Sequence, residues 1–416
     1  MTDLSVTVDT DRLTAELAEL ATFSDAEPPA VTRVLYTDAD LKARAFLKRL
    51  CADAGLAVRE DAIGNLFSRW SGSEPALPAV GTGSHTDAIP HSGRYDGTVG
   101  VLGGLAAIRA LQVAGFRPRR SIELLMFTSE EPTRFGLGCV GSRGLCGALS
   151  PERLADLRDK DGERLDDVRQ AAGFRGDLAT VKLPPDYYAA FVELHIEQGP
   201  ILEREGIPIG VVTAIAAPAA LRVTLDGEGG HAGAVLMASR KDALCAAAEV
   251  VLAVEAAAKG SGSPDTVATT GVCRVHPGAI NSVPSRVHLE IDVRDVRLQP
   301  RDQAVLAIRD AVEDVSRRRG VRAAVEMLNA DPPATMAEPV VSAAEAACRR
   351  LELAHKRMES RAYHDSLYMA RVCDTGMIFI PCRGGVSHRP DEYAAPEAIA
   401  NGVAVLALAL VQLSAR

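Results

Sequence analysis

The chain has 416 residues, 47% hydrophobic and 24% charged, which is globular composition at a length beyond one hydrophobic core and excludes a largely disordered chain. Its 46 Lys and Arg against 55 Asp and Glu leave a formal charge of −9, the wrong sign for gripping a phosphate backbone, so no nucleic-acid partner is expected.

At the N-terminus, Met1-Thr2-Asp3-Leu4 has no basic patch and no apolar stretch behind it, so no secretory leader is expected. Residues 9–23 and 38–54 carry apolar side chains at helical spacing, and Thr37-x-x-Asp40 is a capping signal for the second helix. From Leu66 the pattern changes to short strand-like runs at 66–70, 78–84 and 122–128, with an apolar helix over 98–114 between the last two. Strand, crossover helix, strand predicts a mostly parallel sheet. Residues 190–195 and 377–381 read as two further buried strands. Between them the order differs: strand 220–225, Ala-rich helix 241–258, strands 267–275 and 287–295, helix 302–319 and strand 323–328. That β-α-β-β-α-β order is the split pattern of a small two-layer, ferredoxin-like domain. The Arg317-Arg318-Arg319 triplet reads as a solvated helix end that complements the macrodipole. Near the C-terminus the longest apolar run, Val403 to Leu413, is interrupted by Gln412 and falls short of the roughly 20 residues a membrane span needs, so no membrane association is expected. The eight cysteines show no C-x-x-C pair and read as reduced, mostly buried thiols of a cytoplasmic protein. The predicted architecture is α/β: a larger, mostly parallel-sheet domain in two parts, 1–212 and 331–416, with 213–330 inserted.

Five segments concentrate imidazole and carboxylate at strand ends. They are Gly83-Ser84-His85-Thr86-Asp87, Gly93-Arg94-Tyr95-Asp96-Gly97, Thr128-Ser129-Glu130-Glu131-Pro132, Glu193-Leu194-His195-Ile196-Glu197-Gln198-Gly199-Pro200 and Gly384-Gly385-Val386-Ser387-His388-Arg389-Pro390. A His at the end of a buried strand can offer one ring nitrogen to a metal while an Asp two residues on accepts from the other. In an open α/β sheet the ligand crevice lies outside the carboxyl ends of the strands, where all five can converge. Singly, each has an ordinary explanation: a hydrogen-bonded core His, or a solvated Glu pair. Together, a thiolate-free set rich in carboxylate and imidazole suits a pair of divalent cations such as Zn²⁺, Mn²⁺ or Co²⁺.

His85-x-Asp87, Tyr95-Asp96-Gly97, Glu130-Glu131, His195-Ile196-Glu197-Gln198-Gly199-Pro200 and Ser387-His388-x-Pro390, in this order, resemble the dinuclear-metal amidohydrolases related to aminoacylases and carboxypeptidases. More narrowly they are similar to the branch acting on ureido groups: N-carbamoyl-L-amino-acid amidohydrolases, β-ureidopropionases, allantoate amidohydrolases and ureidoglycolate amidohydrolases. The resemblance spans roughly residues 60 to 400. It implies two divalent metal ions per subunit, Mn or Zn with Co or Ni as alternatives, held by His85, Asp96, Glu131, His195 and His388, with Asp96 bridging. It also implies Glu130 as general base and Asp87 as the residue that orients His85. The 213–330 segment becomes the family's lid and the dimerisation domain of a homodimer. Within it, His231 is implied to stabilise the oxyanion, and Asn281 and Arg294 to bind the substrate carboxylate, the Arg as a bidentate fork. Gln198 falls at the ureido-contacting position; His276, His288 and His355 match no motif and read as structural.

Where allantoate and carbamoyl-amino-acid enzymes of this branch carry a Gly-Ala-Gly-His-Asp-type segment, this chain reads Ser360-Arg361-Ala362-Tyr363-His364-Asp365-Ser366. Tyr363 in place of Gly, with the runs 87–93 and 131–136, is similar to ureidoglycolate amidohydrolases. A bulky Tyr363 beside His364 would shorten the substrate pocket to suit a two-carbon acid; the alternative is that it only fills space. The expected reaction is hydrolysis of the ureido C–N bond of a small ureido acid, ureidoglycolate first, within purine catabolism. N-carbamoyl amino acids and allantoate are the alternative substrates. A peptidase or aminoacylase on the same scaffold is disfavoured by the His-Ile-Glu-Gln-Gly-Pro form and the Asn281/Arg294 pair, and a non-catalytic metal-binding scaffold by the intact ligand set and Glu130.

Overall fold

Ile122–Phe127 is buried at every position, so it needs cover on both faces and neighbours on both edges. The structure that supplies them, a computed structural model, describes residues 4–415. Met1, Thr2 and Asp3, on which the expectation about a leader largely rests, lie outside the described residues. The chain forms two compact units: the first runs to Thr213 and resumes over Thr335–Met358 and from His364 onward, and the second comprises Ala214–Ala334 and Glu359–Tyr363.

The core of the first unit is a nine-stranded sheet. Its centre is parallel, in the order Asp374–Ile380, Tyr188–Ile196, Ala79–His85, Ile122–Phe127. Both flanks are antiparallel: Leu66–Trp70 pairs with Ile122–Phe127 and Ala57–Glu60 with Leu66–Trp70, while Ile209–Ile215 pairs with Asp374–Ile380. The expectation of a mostly parallel sheet thus describes the centre and not the flanks. The short connection over 61–65 can only join antiparallel neighbours, because a parallel pair needs a crossover of a dozen residues or more. The helix Thr98–Val113 is that crossover between Ala79–His85 and Ile122–Phe127, and it is buried along most of its length. Asp38–Asp53 starts where the capping signal places it, with the Thr37 hydroxyl accepting from the Asp40 N–H. The C-terminal helix Pro396–Ser414 is longer than the apolar run within it, and by length and composition it could cross a membrane. Its buried face instead packs on Thr98–Val113 and Glu338–Arg350, which makes it a core helix.

The second unit follows the order strand Ala217–Asp226, helix Ala243–Lys259, strands Val267–His276 and Arg286–Asp295, helix Leu298–Arg319 and strand Arg322–Ala330. The sheet order is Val267–His276, Arg286–Asp295, Ala217–Asp226, Arg322–Ala330, antiparallel throughout. Leu221, Val223, Leu225, Leu289 and Ile291 alternate inward under the two helices. This unit also takes Glu359–Tyr363, which the sequence analysis assigns to the larger domain. Hydrogen bonds explain the reassignment: the Ala216 N–H donates to the Ser360 carbonyl (2.8 Å), Arg361 pairs with Asp265 (2.8 Å) and the Tyr363 hydroxyl donates to Asp331 (2.7 Å). In the arginine triplet, Arg318 and Arg319 pair with Glu249 and Arg317 with Asp314, as befits a solvated helix end. All eight cysteines are free thiols; four are buried, and Cys245 and Cys273 are exposed.

Gly83 tests the sheet packing. It has φ +148°, and a Cβ there would overlap the Leu125 carbonyl of the adjacent strand. Gly115, with φ +72°, has open space around it. Gly83→Ala should therefore cost more than about 3 kcal/mol, against about 1 kcal/mol for Gly115→Ala, read as shifts in the urea unfolding midpoint.

Candidate active site

The parallel centre of the sheet delivers the site. His85 ends one strand, His195 lies one residue before the end of its neighbour, and Glu130 and Glu131 follow the end of Ile122–Phe127. Because the register pairs His85 with Phe127, these ends emerge on one edge. Asp96 lies in the turn before Thr98–Val113, and His388 in the loop after Asp374–Ile380. Three residues here hold left-handed backbone without being glycine: Ser129, Gln198 and His388, with φ of 55–58°. Such strain persists where surrounding contacts over-determine it. For the 128–131 loop those contacts are donations from the Val140 N–H to the Ser129 carbonyl (2.9 Å) and from the Cys139 N–H to the Glu130 carbonyl (2.8 Å).

Two donor trios share Asp96: His85, Asp96 and His195, and Asp96, Glu131 and His388. Asp96 Oδ1 lies 3.2 Å from His195 Nε2 and 3.8 Å from His85 Nε2. Its Oδ2 lies 3.1 Å from His388 Nε2, which is also 3.1 Å from Glu131 Oε1. The five residues expected to ligate metal are therefore brought together, with Asp96 between the two halves. Electrostatics fits the same reading. Burial raises the pKa of Glu131, and burial followed by repulsion from Glu131 raises that of Glu130 far more. Burial also acts to raise Asp96, but the imidazoles of His195 and His388 hold it well below the usual carboxylate range. Contact with Asp96 and Glu131 lifts His388 to about 10, and Asp96 lifts His195 to about 9 despite burial. A buried excess of carboxylate whose counter-charges are imidazoles, not Lys or Arg, is a donor set made for divalent cations. A third trio, Glu193, His195 and His364, is also close-packed. Both Glu193 oxygens, however, already accept hydrogen bonds from Ser84 and Ser366.

Glu130 stands beside the first trio, its Oε2 3.8 Å from His85 Nε2 and its Oε1 3.5 Å from the Cys139 thiol. Asp87 acts differently from the expectation. His85 Nδ1 lies 3.0 Å from the Asp87 backbone carbonyl and 3.7 Å from its carboxylate, so the main chain, not the carboxylate, orients the ring. The carboxylate instead accepts the N–H groups of Glu130 (3.2 Å) and Glu131 (3.0 Å), fixing both glutamates at once.

Gln198 donates its amide Nε2 to Asp96 Oδ2 (2.9 Å) and Ser387 (3.3 Å), leaving its buried Oε1 without a partner. His364 is not at an open wall: it is buried, with its ring edge-on to His195 at 4.6 Å between centroids. Sequence reasoning passed over Glu392. It is buried, accepts from the backbone of Tyr95 and Asp96 and from Ser387, and burial, then repulsion from Asp96, pushes its pKa up to about 7. Its only sequence signal is a carboxylate close behind Ser387-His388.

His231, Asn281, Arg294 and Tyr363 belong to the second unit. His231 and Asn281 are brought together there, since the Ala232 N–H donates to the Asn281 carbonyl (2.8 Å) and His231 pairs across a short ladder with Ser282. The Gly233 N–H donates to His231 Nδ1 (3.1 Å). The Arg294 fork is already engaged by Asp292, at 2.7 and 3.2 Å, so a substrate carboxylate would have to compete for it.

Comparison with known proteins identifies the family. The sequence profile described as Peptidase family M20/M25/M40 matches residues 81–412. A ureidoglycolate hydrolase of Oryza sativa subsp. japonica is 55% identical over 412 residues, covering 98% of this chain and 85% of that protein. One of Arabidopsis thaliana is 53% identical over 99% of this chain and 88% of that protein. A crystal structure of AtUAH in complex with glyoxylate superposes with a TM-score of 0.90 at 53% identity, covering 99% of each chain.

The adjacent glutamates should separate on substitution. Glu130→Gln should keep bound metal and lose about 10²–10⁴-fold in turnover, whereas Glu131→Gln should lose metal. Elemental analysis of the purified variants checks this, and equal metal loss in both would mean the roles are wrongly assigned.

Proposed function

The chain belongs to peptidase family M20/M25/M40, whose members are metal-dependent, and from that premise we propose that it hydrolyses the ureido C–N bond of ureidoglycolate. The observation that carries this reading is the full-length likeness to ureidoglycolate hydrolases, at 55% identity over 98% of the chain. Two divalent cations per subunit, Mn or Zn with Co or Ni as alternatives, would be held by the trios that share Asp96. When bound, they would acidify the attacking water and polarise the ureido carbonyl.

The chain's own residues supply the rest. Glu130, kept proton-hungry by burial beside Glu131, takes the water proton and returns it to the departing nitrogen. Gln198, anchored through its Nε2, turns the unpartnered Oε1 toward an acceptor role for a ureido N–H. With Nδ1 of His231 accepting from Gly233, a neutral ring carries its proton on Nε2, the donor that a developing oxyanion requires. Asn281 and Arg294 bind the substrate carboxylate, and Tyr363 and His364 set the size of the acid that is accepted. Ammonia and carbon dioxide leave, and the resulting hydroxyglycine decays to glyoxylate and a second ammonia. The second unit serves as lid and as the contact of a cytoplasmic homodimer, and the reaction belongs to the breakdown of purine nitrogen.

Ammonia release from ureidoglycolate, allantoate and several N-carbamoyl amino acids tests the substrate. Ureidoglycolate should give the highest kcat/KM, with glyoxylate as co-product. Preference for an N-carbamoyl amino acid would replace this reading with the carbamoylase one. Chelation should abolish activity and Mn²⁺, Zn²⁺ or Co²⁺ restore it; full activity in metal-free protein would sink the mechanism.

Whether His231 acts across a dimer is a separate matter. Glu130→Gln and His231→Ala proteins, each nearly inactive, should regain part of the activity after subunit exchange, because one site per mixed dimer would hold both groups. Verified heterodimers without recovery would mean that His231 works within its own subunit, or not at all.

A further inference from the structure

Glu392 is a buried carboxylate that the proposed reaction leaves unused, yet it touches both irregular segments on which the second donor trio depends. Its Oε1 accepts the consecutive N–H groups of Tyr95 (2.7 Å) and Asp96 (3.1 Å), and its Oε2 accepts the Ser387 hydroxyl (2.8 Å). Two successive N–H groups aimed at one anion form a backbone nest. The approach is close enough to require glycine at position 93, where a Cβ would overlap the Glu392 side chain. Next in sequence, the Tyr393 ring meets that of Tyr95 edge-on at 6.0 Å.

The two segments joined this way need joining. His85 and His195 sit within strands, but Asp96 lies in a turn and His388 in a loop nearly 300 residues away. His388 is also the exposed ligand, with 47% of its side chain accessible against 6% or less for the other four. Packing therefore does little to hold it. The Ser387 hydroxyl lies 2.8 Å from Asp96 Oδ2, the oxygen that faces His388, as well as from Glu392.

We propose that Glu392 is a positioning residue for the metal position formed by Asp96, Glu131 and His388. It ties the turn carrying the shared Asp96 to the loop carrying His388, so that both present their ligand atoms to one cation. This rests on the two-metal reading above. The carboxylate works by geometry: two acceptor atoms at the end of a side chain long enough to span both segments.

The test is calorimetric titration of the chelator-stripped protein with Mn²⁺ and, separately, Zn²⁺, alongside its thermal unfolding. The wild-type chain should bind two equivalents. Glu392→Ala should keep the first affinity and bind the second equivalent roughly 10–100-fold more weakly, with the unfolding temperature of the stripped protein unchanged. Its kcat should fall at limiting metal and recover with excess metal, at constant KM. Glu392→Gln keeps a carbonyl oxygen for both N–H groups and an amide to donate to Ser387, and should recover most of the second affinity. Glu392→Asp, one methylene shorter, should not. Wild-type affinities for both equivalents in Glu392→Ala would overturn the proposal and leave the two-metal reading standing. Equal weakening of both equivalents with a lowered unfolding temperature would mean general loosening and would also overturn it. A wild-type chain that binds no metal would remove both readings together. Should Glu392→Ala not fold, the Gln and Asp variants decide, and equal second affinities in those two would overturn the tie.

Discussion

A surplus of buried carboxylate at the carboxyl edge of a parallel sheet is the constraint from which the rest of the first unit follows. Asp87, Asp96, Glu130, Glu131 and Glu392 are all buried, and the groups paired with the central members are imidazoles. Burial and then mutual repulsion displace Glu130, Glu131 and Glu392 upward, while Asp96, between His195 and His388, is held down. Attraction to His195 and His388 steadies Asp96, but Glu130 and Glu131 repel each other and are fixed through their backbone. Bound divalent cations would invert the balance at every one of these groups. The donor trios are suited to a loaded state.

The fixing is done mostly by main chain. Asp87 holds two successive N–H groups of the 130–131 segment, and Glu392 holds two successive N–H groups of the 95–96 turn. Each carboxylate thus sets a neighbouring ligand loop by gripping its backbone, leaving the ligand side chain free to meet a cation. The same logic explains why His85 is oriented by a backbone carbonyl and His195 by the Ile196 carbonyl, at 2.9 Å. Carbonyl acceptors fix the ring tautomer without adding further charge to an overloaded site.

How much of this is legible in the sequence depends on whether the signal is local. The central strands and the strand–helix alternation of the second unit were readable because burial on one or both faces imposes a period on the residues themselves. The convergence of imidazole and carboxylate is legible because these groups at apolar strand ends are costly unless used, while the individual ligand roles rest on the family resemblance. The strand His355–Ser360, at the margin of the sheet, and the short helices Val140–Leu145, Pro151–Asp156 and Leu165–Ala171, of six or seven residues each, are too short or too exposed to impose such a pattern, and Ile209–Ile215 is a seven-residue apolar run with no period of its own. Glu392 and the true partners of Asp87 were hidden for another reason: their hydrogen bonds reach N–H groups 43 to 297 residues away, and a backbone donor has no sequence signature. The Arg294–Asp292 pair follows from Asp292-Val293-Arg294, because alternation along a strand places both side chains on one face.

The boundary at Tyr363–His364 changes what those two residues can mean. Sequence reasoning treats them as one wall of a pocket, yet consecutive residues belong to different units. The Tyr363 hydroxyl is committed to Asp331 within the second unit, so its aromatic bulk is held as part of that body. His364 packs edge-on against His195 and beside Phe379, so it bears on the orientation of the His195 ring. Burial lowers its basicity, and the neighbouring His195 lowers it further, which keeps the His364 ring neutral and able to lie against a second imidazole without repulsion. On the proposed function, selection of substrate size and support of the metal-holding residues would thus be divided between two adjacent residues. If that reading holds, a change at position 363 would retune recognition while the imidazole packed on His195 keeps its place.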